Sequence, residues 1–249
     1  MTPPEYSPPK QVLEIDTLLA RYATGQRTFQ DLNLREAELV NVRLSHTDFS
    51  RSDLRQSRLG RTDFSQANLQ DVDFSEAILW GTTLSEANLN RALLRDVDLS
   101  GAILNEADLT DANLAKASLC GANLCNANLQ RALLFEADLR PTADHRTNLG
   151  NANLLGADLS YANLSEASLH KARLDGAKLC RANLGRGTRH GLPCDLSGAS
   201  LQGADLSYAN LNGAILQQAN LSGADLTGAT LAGADLTGAT LPNGTLYQA

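Results

Sequence analysis

The chain has 249 residues and a net charge of −7, with a pI near 5.1. That acidic balance disfavours direct binding to nucleic acid, which needs a basic face to displace counterions from phosphate. With 43% hydrophobic residues and only 4 cysteines, the chain can bury a core without disulfide staples, and no apolar run is long enough to suggest a membrane span.

In chain order, the stretch from Met1 to Lys10 is rich in proline and lacks an apolar run, so residues 1–13 are expected as a disordered tail with no signal peptide. Ile15, Leu18, Leu19 and Tyr22 then keep helical spacing. Asp16 is placed to help start a helix and Gly25 to end it. A short capping α-helix is expected over 14–25, lying across the first repeat, because an open solenoid end exposes unpaired strand edges.

From Phe29 to Leu139, Leu or Phe stands at every fifth position, and a small residue usually sits two places earlier, as in Ala67-Asn68-Leu69. Neither a helical stripe of about 3.6 residues nor a strand alternation of about two fits this period. A chain that turns a corner every five residues sends the same two positions inward each time and builds a solenoid core. The period covers 26–249, with 23 centres to Leu139, 8 from Leu149 to Leu184 and 11 from Leu196 to Leu246, 42 in all. Two interruptions, at 140–148 and 185–195, carry Pro and Gly and read as projecting loops. The first replaces one unit and keeps phase; the second adds two residues to one unit. Counting both gives 44 units. At the far end Pro242-Asn243-Gly244 makes a turn, and Leu246 with Tyr247 closes the last coil.

The recurring A(N/D)LxX pattern resembles the pentapeptide-repeat family over roughly residues 26 to 248. The resemblance implies an all-β solenoid, a right-handed quadrilateral β-helix with four units per coil. The 44 units then make about eleven coils and a rod on the order of 50 Å long at ~4.8 Å per coil. A twenty-residue step can be tested on the sequence itself. It gathers Asp31, Arg51, Asp71, Arg91, Asp111, Arg131, Asn151 and Lys171 into one outward column of alternating charge. Opposite charges on stacked coils fix register more than stability, because the pairs are exposed.

The chain holds no phosphate loop, nucleophile elbow or zinc spacing, and His46, His145, His170 and His190 lie apart. The many Asp and Asn residues just before central leucines read as solvated or turn-bonded groups. His145 and His190, on loops beside arginines, come nearest to a site; solvated loop residues are the simpler reading. No catalytic residue, cofactor or metal is expected, and the chain reads as a non-enzyme. Cys120, Cys125 and Cys180 follow central leucines and point outward, while Cys194 takes a small inward position. Cys120 and Cys180 share a column three coils apart, roughly 14 Å and too far for a disulfide. Free thiols imply a reducing, cytoplasmic setting.

Large apolar residues at outward positions mark a candidate protein-binding surface. They are Ile78, Trp80, Leu93, Ile103, Leu133, Phe135, Leu155 and Ile215. On four sides, Ile78 and Trp80 share one face, and Leu93, Leu133, Phe135 and Leu155 share the next. Trp80 favours an interface; Phe135 fits an interface or packing beneath a loop equally well. Arg140, Arg146, Arg186 and Arg189 on the loops would supply polar contacts.

Ser75 to Gly81, Ala117 to Leu124, Leu134-Phe135 through Leu139-Arg140-Pro141, and Asp175 to Asn183 resemble, more narrowly, a cyanobacterial member of the family that regulates heterocyst differentiation. That likeness implies a non-enzymatic regulator that acts by binding a regulatory protein; separately, a monomer that engages neither nucleic acid nor membrane is expected. The alternative implied by the family is imitation of duplex DNA by an acidic rod that binds or protects gyrase. The two loops favour that alternative. The alternating charge column and the lack of a C-terminal helix weigh against it.

Overall fold

A computed structural model describes residues 10–248, and in it a regular five-residue unit satisfies all five of its backbone N–H groups. In the unit Asp73 to Ala77, Asp73 donates to the Ser52 carbonyl of the preceding coil at 3.1 Å. Phe74 and Glu76 donate to Leu93 and Arg95 of the following coil at 2.7 and 2.9 Å, and Ala77 closes a turn onto Phe74 at 2.9 Å. The fifth, Ser75 N–H, donates to Asp73 Oδ1 at 2.9 Å. A buried amide without a partner costs about a hydrogen bond, which is why Asn or Asp so often precedes the centre.

Two places past each centre the backbone is left-handed, with φ between 54 and 63° at the non-glycine positions of the regular turns. A type II turn requires that sign at its third residue. Parallel bridges join residues twenty apart, from Thr28 with Asp48 to Ser118 with Asp138. Five residues per side and twenty per coil make four sides, designated first to fourth from the units centred on Phe29, Leu34, Leu39 and Leu44. Central residues from Leu39 to Leu221 are at most 1% exposed. Phe29 and Phe49 stack at 5.3 Å between ring centroids, and Phe64 meets Phe49 edge-on at 5.9 Å. Where Ser or Thr replaces the inward alanine, its hydroxyl donates to a backbone carbonyl, as Ser57 to Leu54 at 2.6 Å and Thr82 to Leu59 at 3.1 Å. Those buried hydroxyls are thereby satisfied.

The loops change the register in a way the pentad phase conceals. Across the first, bridged partners lie 25 apart, as Asn128 with Asn153 and Leu133 with Asp158. Across the second they lie 27 apart, as Ser168 with Asp195 and Asn183 with Asn210. The loops are therefore insertions of five and seven residues at a corner, and neither supplies a side of its own. Every residue past the first loop is displaced by one side from the expected assignment, and every residue past the second by two. The charge column ends at Arg131; above it stands Gly156, whereas Asn151 and Lys171 belong to the fourth side. Cys120 and Cys180 lie on different sides, and all four cysteines are free. Burial pushes the Cys194 thiol up to about 12.

Both ends of the rod are folded over. Helix α1, Ile15–Ala23, buries Leu18 completely and packs Ile15, Leu19 and Tyr22 against the first coil. It stops at Thr24, and Gly25 follows with φ 98°, the left-handed residue common after helices. Strand β1, Gln11–Val12, pairs in parallel with β2, Leu32–Asn33. This corrects the expectation of a disordered tail over 1–13 at its last residues. The first coil presents free strand-edge groups, and Gln11 N–H takes the Asp31 carbonyl at 3.2 Å. The remainder of that expectation, residues 1–9, lies outside the described residues. At the other end Leu246 does not close a coil. It is 59% exposed and forms an antiparallel bridge to Thr240 around the Pro242-Asn243-Gly244 turn. The expected tally of 44 sides therefore falls to 41, the 42 centres less Leu246. Among the described residues no helix is long and apolar enough to cross a membrane.

Candidate protein-binding surface

The second side carries the longest run of exposed large side chains. Leu93 and Leu133 stand 44% and 45% exposed in one column just before their centres. Phe135, on the other flank of Leu134, meets Tyr161 of the next coil edge-on at 5.5 Å between centroids. Arg181 follows one coil further, with its guanidinium 5.8 Å from the Tyr161 ring and 5.5 Å from Tyr208. Tyr208 in turn lies across Gly228, where an added Cβ would meet its ring at 2.6 Å. Four consecutive coils thus present Phe135, Tyr161, Arg181 and Tyr208 along one edge. Tyr161 and Tyr208 escape a sequence reading that looks only for apolar side chains, and their column is hidden until the register across both loops is known.

Leu155 is not part of this strip. The five-residue insertion moves it to the first side, where it is half-buried above Gln130 and its carbonyl accepts Arg131 N–H at 3.0 Å. Ile103 and Ile215 lie on the fourth side. Ile78 and Trp80 occupy the third. Trp80 is 39% exposed because its indole folds down over Gly60, where a Cβ would approach Nε1 to 2.6 Å. The Arg61 guanidinium covers the same ring at 4.7 Å. Trp80 therefore packs on its own rod as well as facing solvent.

Both loops leave the corner after the third side, from Leu139 and Leu184, with Leu164 in the coil between them. Glu166 is the turn residue of that middle coil and is 1% exposed beneath the two loops. Its carboxylate accepts the Arg189 and His190 backbone N–H groups at 3.0 Å each and lies 2.9 Å from His190 Nδ1. Gly187 passes so close that a Cβ there would overlap the carboxylate. Burial alone would raise the Glu166 pKa, but the donors on His190 and Arg189 outweigh it and hold the carboxyl below its ordinary value.

The four loop arginines divide into different roles. Arg146 donates to the Glu166, Ala167 and Pro193 carbonyls and fastens the second loop from the first. Arg140 pairs with Asp138 at 2.7 Å, and Arg186 donates to the Gly191 carbonyl at 2.6 Å. Arg189 and Arg140 line a cavity of about 640 Å³ between the loops, together with Cys120, Thr142, Glu166 and Thr188. His190 is not a freely solvated loop residue; both ring nitrogens have partners. Among the described residues no three His, Cys, Asp or Glu side chains cluster so as to hold a metal.

The family model for pentapeptide repeats matches residues 29–66, 67–105, 102–140, 147–186, 194–231 and 204–243. The crystal structure of HetL, a pentapeptide repeat protein involved in heterocyst differentiation regulation from the cyanobacterium Nostoc sp. strain PCC 7120, is 60% identical. The match covers 94% of this chain and 100% of HetL, with a TM-score of 0.94. A pentapeptide repeat protein of the Arabidopsis thaliana thylakoid lumen is 30% identical over 48% of this chain and 71% of its own, with a TM-score of 0.33. QnrB1, a plasmid-mediated fluoroquinolone resistance protein, is 20% identical over 88% and 94% of the two chains, with a TM-score of 0.37. No curated protein sequence matches the chain.

Proposed function

This chain belongs to the pentapeptide-repeat family, whose fold is a right-handed β-helix, and on that premise we propose that it is a non-enzymatic regulator of heterocyst differentiation that acts by binding a regulatory protein. The observation that carries the reading is the 60% identity to HetL across the whole of that chain. In this account the chain is a cytoplasmic monomer that binds no nucleic acid, a rod of about ten coils plugged at its start by α1 and β1. The docking surface is the second side, with Leu93, Leu133 and Phe135 at its centre and Tyr161, Arg181 and Tyr208 extending it. Ile78 and Trp80 on the adjoining third side border it, and Arg140, Arg186 and Arg189 on the loops lie at the far corner of that third side.

The side-chain chemistry supports this choice. Aromatic residues and arginine dominate the well-packed centres of protein interfaces, and stacked rings lose little freedom when a partner covers them. Gyrase binding by imitation of duplex DNA is the competing reading. Against it, Asp31, Asp71 and Asp111 are each paired with an arginine at 2.7, 2.7 and 2.6 Å, which interrupts an acidic stripe.

Affinity for the regulatory proteins of a heterocyst-forming cyanobacterium, measured by calorimetry with purified components, tests the proposal. Alanine at Leu133, Phe135 and Tyr161 together should weaken binding by about tenfold or more, a loss of about 1.4 kcal/mol. Ile103→Ala on the fourth side should leave it unchanged. Equal affinity of the triple variant and the parent overturns the surface, and inhibition of gyrase supercoiling by the parent would favour the competitor.

A further inference from the structure

His190 sits where only a doubly protonated imidazole satisfies both of its neighbours. Nδ1 lies 2.9 Å from Glu166 Oε2, and Nε2 lies 3.2 Å from the Ala143 carbonyl of the first loop. A carbonyl oxygen can only accept, and an ionised carboxylate can only accept. Neutral imidazole carries a single N–H. With either neutral tautomer, one of the two contacts would set acceptor against acceptor.

We propose that His190 is a pH-operated latch between the two loops: as imidazolium it ties the second loop both to Glu166 and to the first loop, and on losing its Nε2 proton to water it releases the first loop at Ala143. The proton leaves from Nε2 because the Glu166 carboxylate retains the one on Nδ1. Two features make the site a latch rather than a surface contact. Glu166 is 1% exposed at its side chain, whereas His190 is 34% exposed, so the anion is buried while the cation can exchange its proton with solvent. A buried carboxylate requires compensation, and among the described residues His190 is its one partner in ionic contact.

The surrounding charges leave this pairing in place. From the first loop, the Arg146 guanidinium is spent on backbone carbonyls, including that of Glu166 itself, and Arg140 is held by Asp138. Asp144 and His145 of that loop are exposed. From the second loop, Arg186 is turned to Gly191, and Arg189 lines the cavity with Cys120 of the coil beneath the first loop. The latch is thus closed while the ring carries both protons, on the acid side, and opens when Nε2 loses its own as pH rises. Arg146 keeps its bond to Pro193 throughout, so opening is confined to the mouth of the cavity that Thr142, Ala143 and Arg189 line.

The test uses the full chain. Ring-nitrogen NMR of His190 across a pH series from acid to alkaline should show both nitrogens protonated at the acid end and Nε2 deprotonated at the alkaline end. Spin labels at Asp144→Cys and Thr188→Cys, in a variant whose Cys120, Cys125 and Cys180 are serine, should move apart over the same interval. His190→Asn, which can still donate to Glu166 but is too short to reach Ala143, should hold the longer distance at both ends. A ring with one protonated nitrogen at the acid end of the series, or a label separation that does not change with pH in the parent, overturns the latch.

Discussion

Asn and Asp just before the central leucines carry the fold alongside the leucines themselves. Asn88 Oδ1 accepts the Asn90 N–H at 3.1 Å, and its Nδ2 donates to Asn68 one coil below at 3.0 Å. Asn88→Ala leaves an amide without a partner and should cost about 1 kcal/mol in chemical denaturation. Leu89→Ala, which opens a cavity at a fully buried position, should cost about 2–5 kcal/mol. An Asn88→Ala protein as stable as the parent would contradict the donor accounting. Most of this scale was legible in the sequence, because inward positions hold Leu or Phe at the centre and mostly small residues two places earlier, and the turn-bonding role of Asp and Asn follows from their place in the unit. The stack of Phe135, Tyr161, Arg181 and Tyr208 was not legible. It depends on which residues lie one coil apart, and that distance is not constant along the chain.

At the scale of a coil, the charge column shows both what spacing reveals and where it fails. Arg51, Arg91 and Arg131 do stack on Asp31, Asp71 and Asp111 twenty residues below. The hydrogen bond from Arg91 is the main cause that holds the Asp71 carboxyl below its ordinary value. A depressed carboxylate contributes stability above its unfolded value, about pH 4, and loses it as pH falls through the lower folded one. A double-mutant cycle of Asp71→Asn and Arg91→Gln should therefore give a favourable coupling near neutral pH. That coupling should disappear in acid and in about 1 M salt; one that persists in acid would show that charge is not its source. Past Arg131 the column leaves the predicted residues because the first insertion is one unit long. An insertion of that length preserves the fivefold phase while rotating all that follows by a quarter turn, so phase alone gives no warning. The second insertion, of seven residues, breaks phase and is visible, although its length as a corner insertion is not.

For the whole molecule, the consequence is that one rod presents four chemically different sides, and the loops decide which residues share them. At the start of the rod α1 packs against the core, and beside it lies β1, which is too short for alternation to signal. A chain lacking residues 1–25 exposes the edge and core of the first coil, including the surface that Leu18 covers. Light scattering should find it self-associated where the full chain is not, and a monodisperse truncated chain would contradict the covering role. The proposed docking surface, the aromatic edge and the meeting of the loops over Glu166 all rest on the register across the first loop. Disulfide trapping measures it directly, in a background with the four native cysteines replaced by alanine. Cysteines at Asn128 and Asn153, bridged partners in the structure, should oxidise to an intramolecular bond, because neighbouring strands lie within the reach of about 4.4–6.8 Å between Cα atoms. Cysteines at Asn128 and Asn148, twenty residues apart but on different sides, should not. Efficient bonding of the second pair with none in the first would contradict the account.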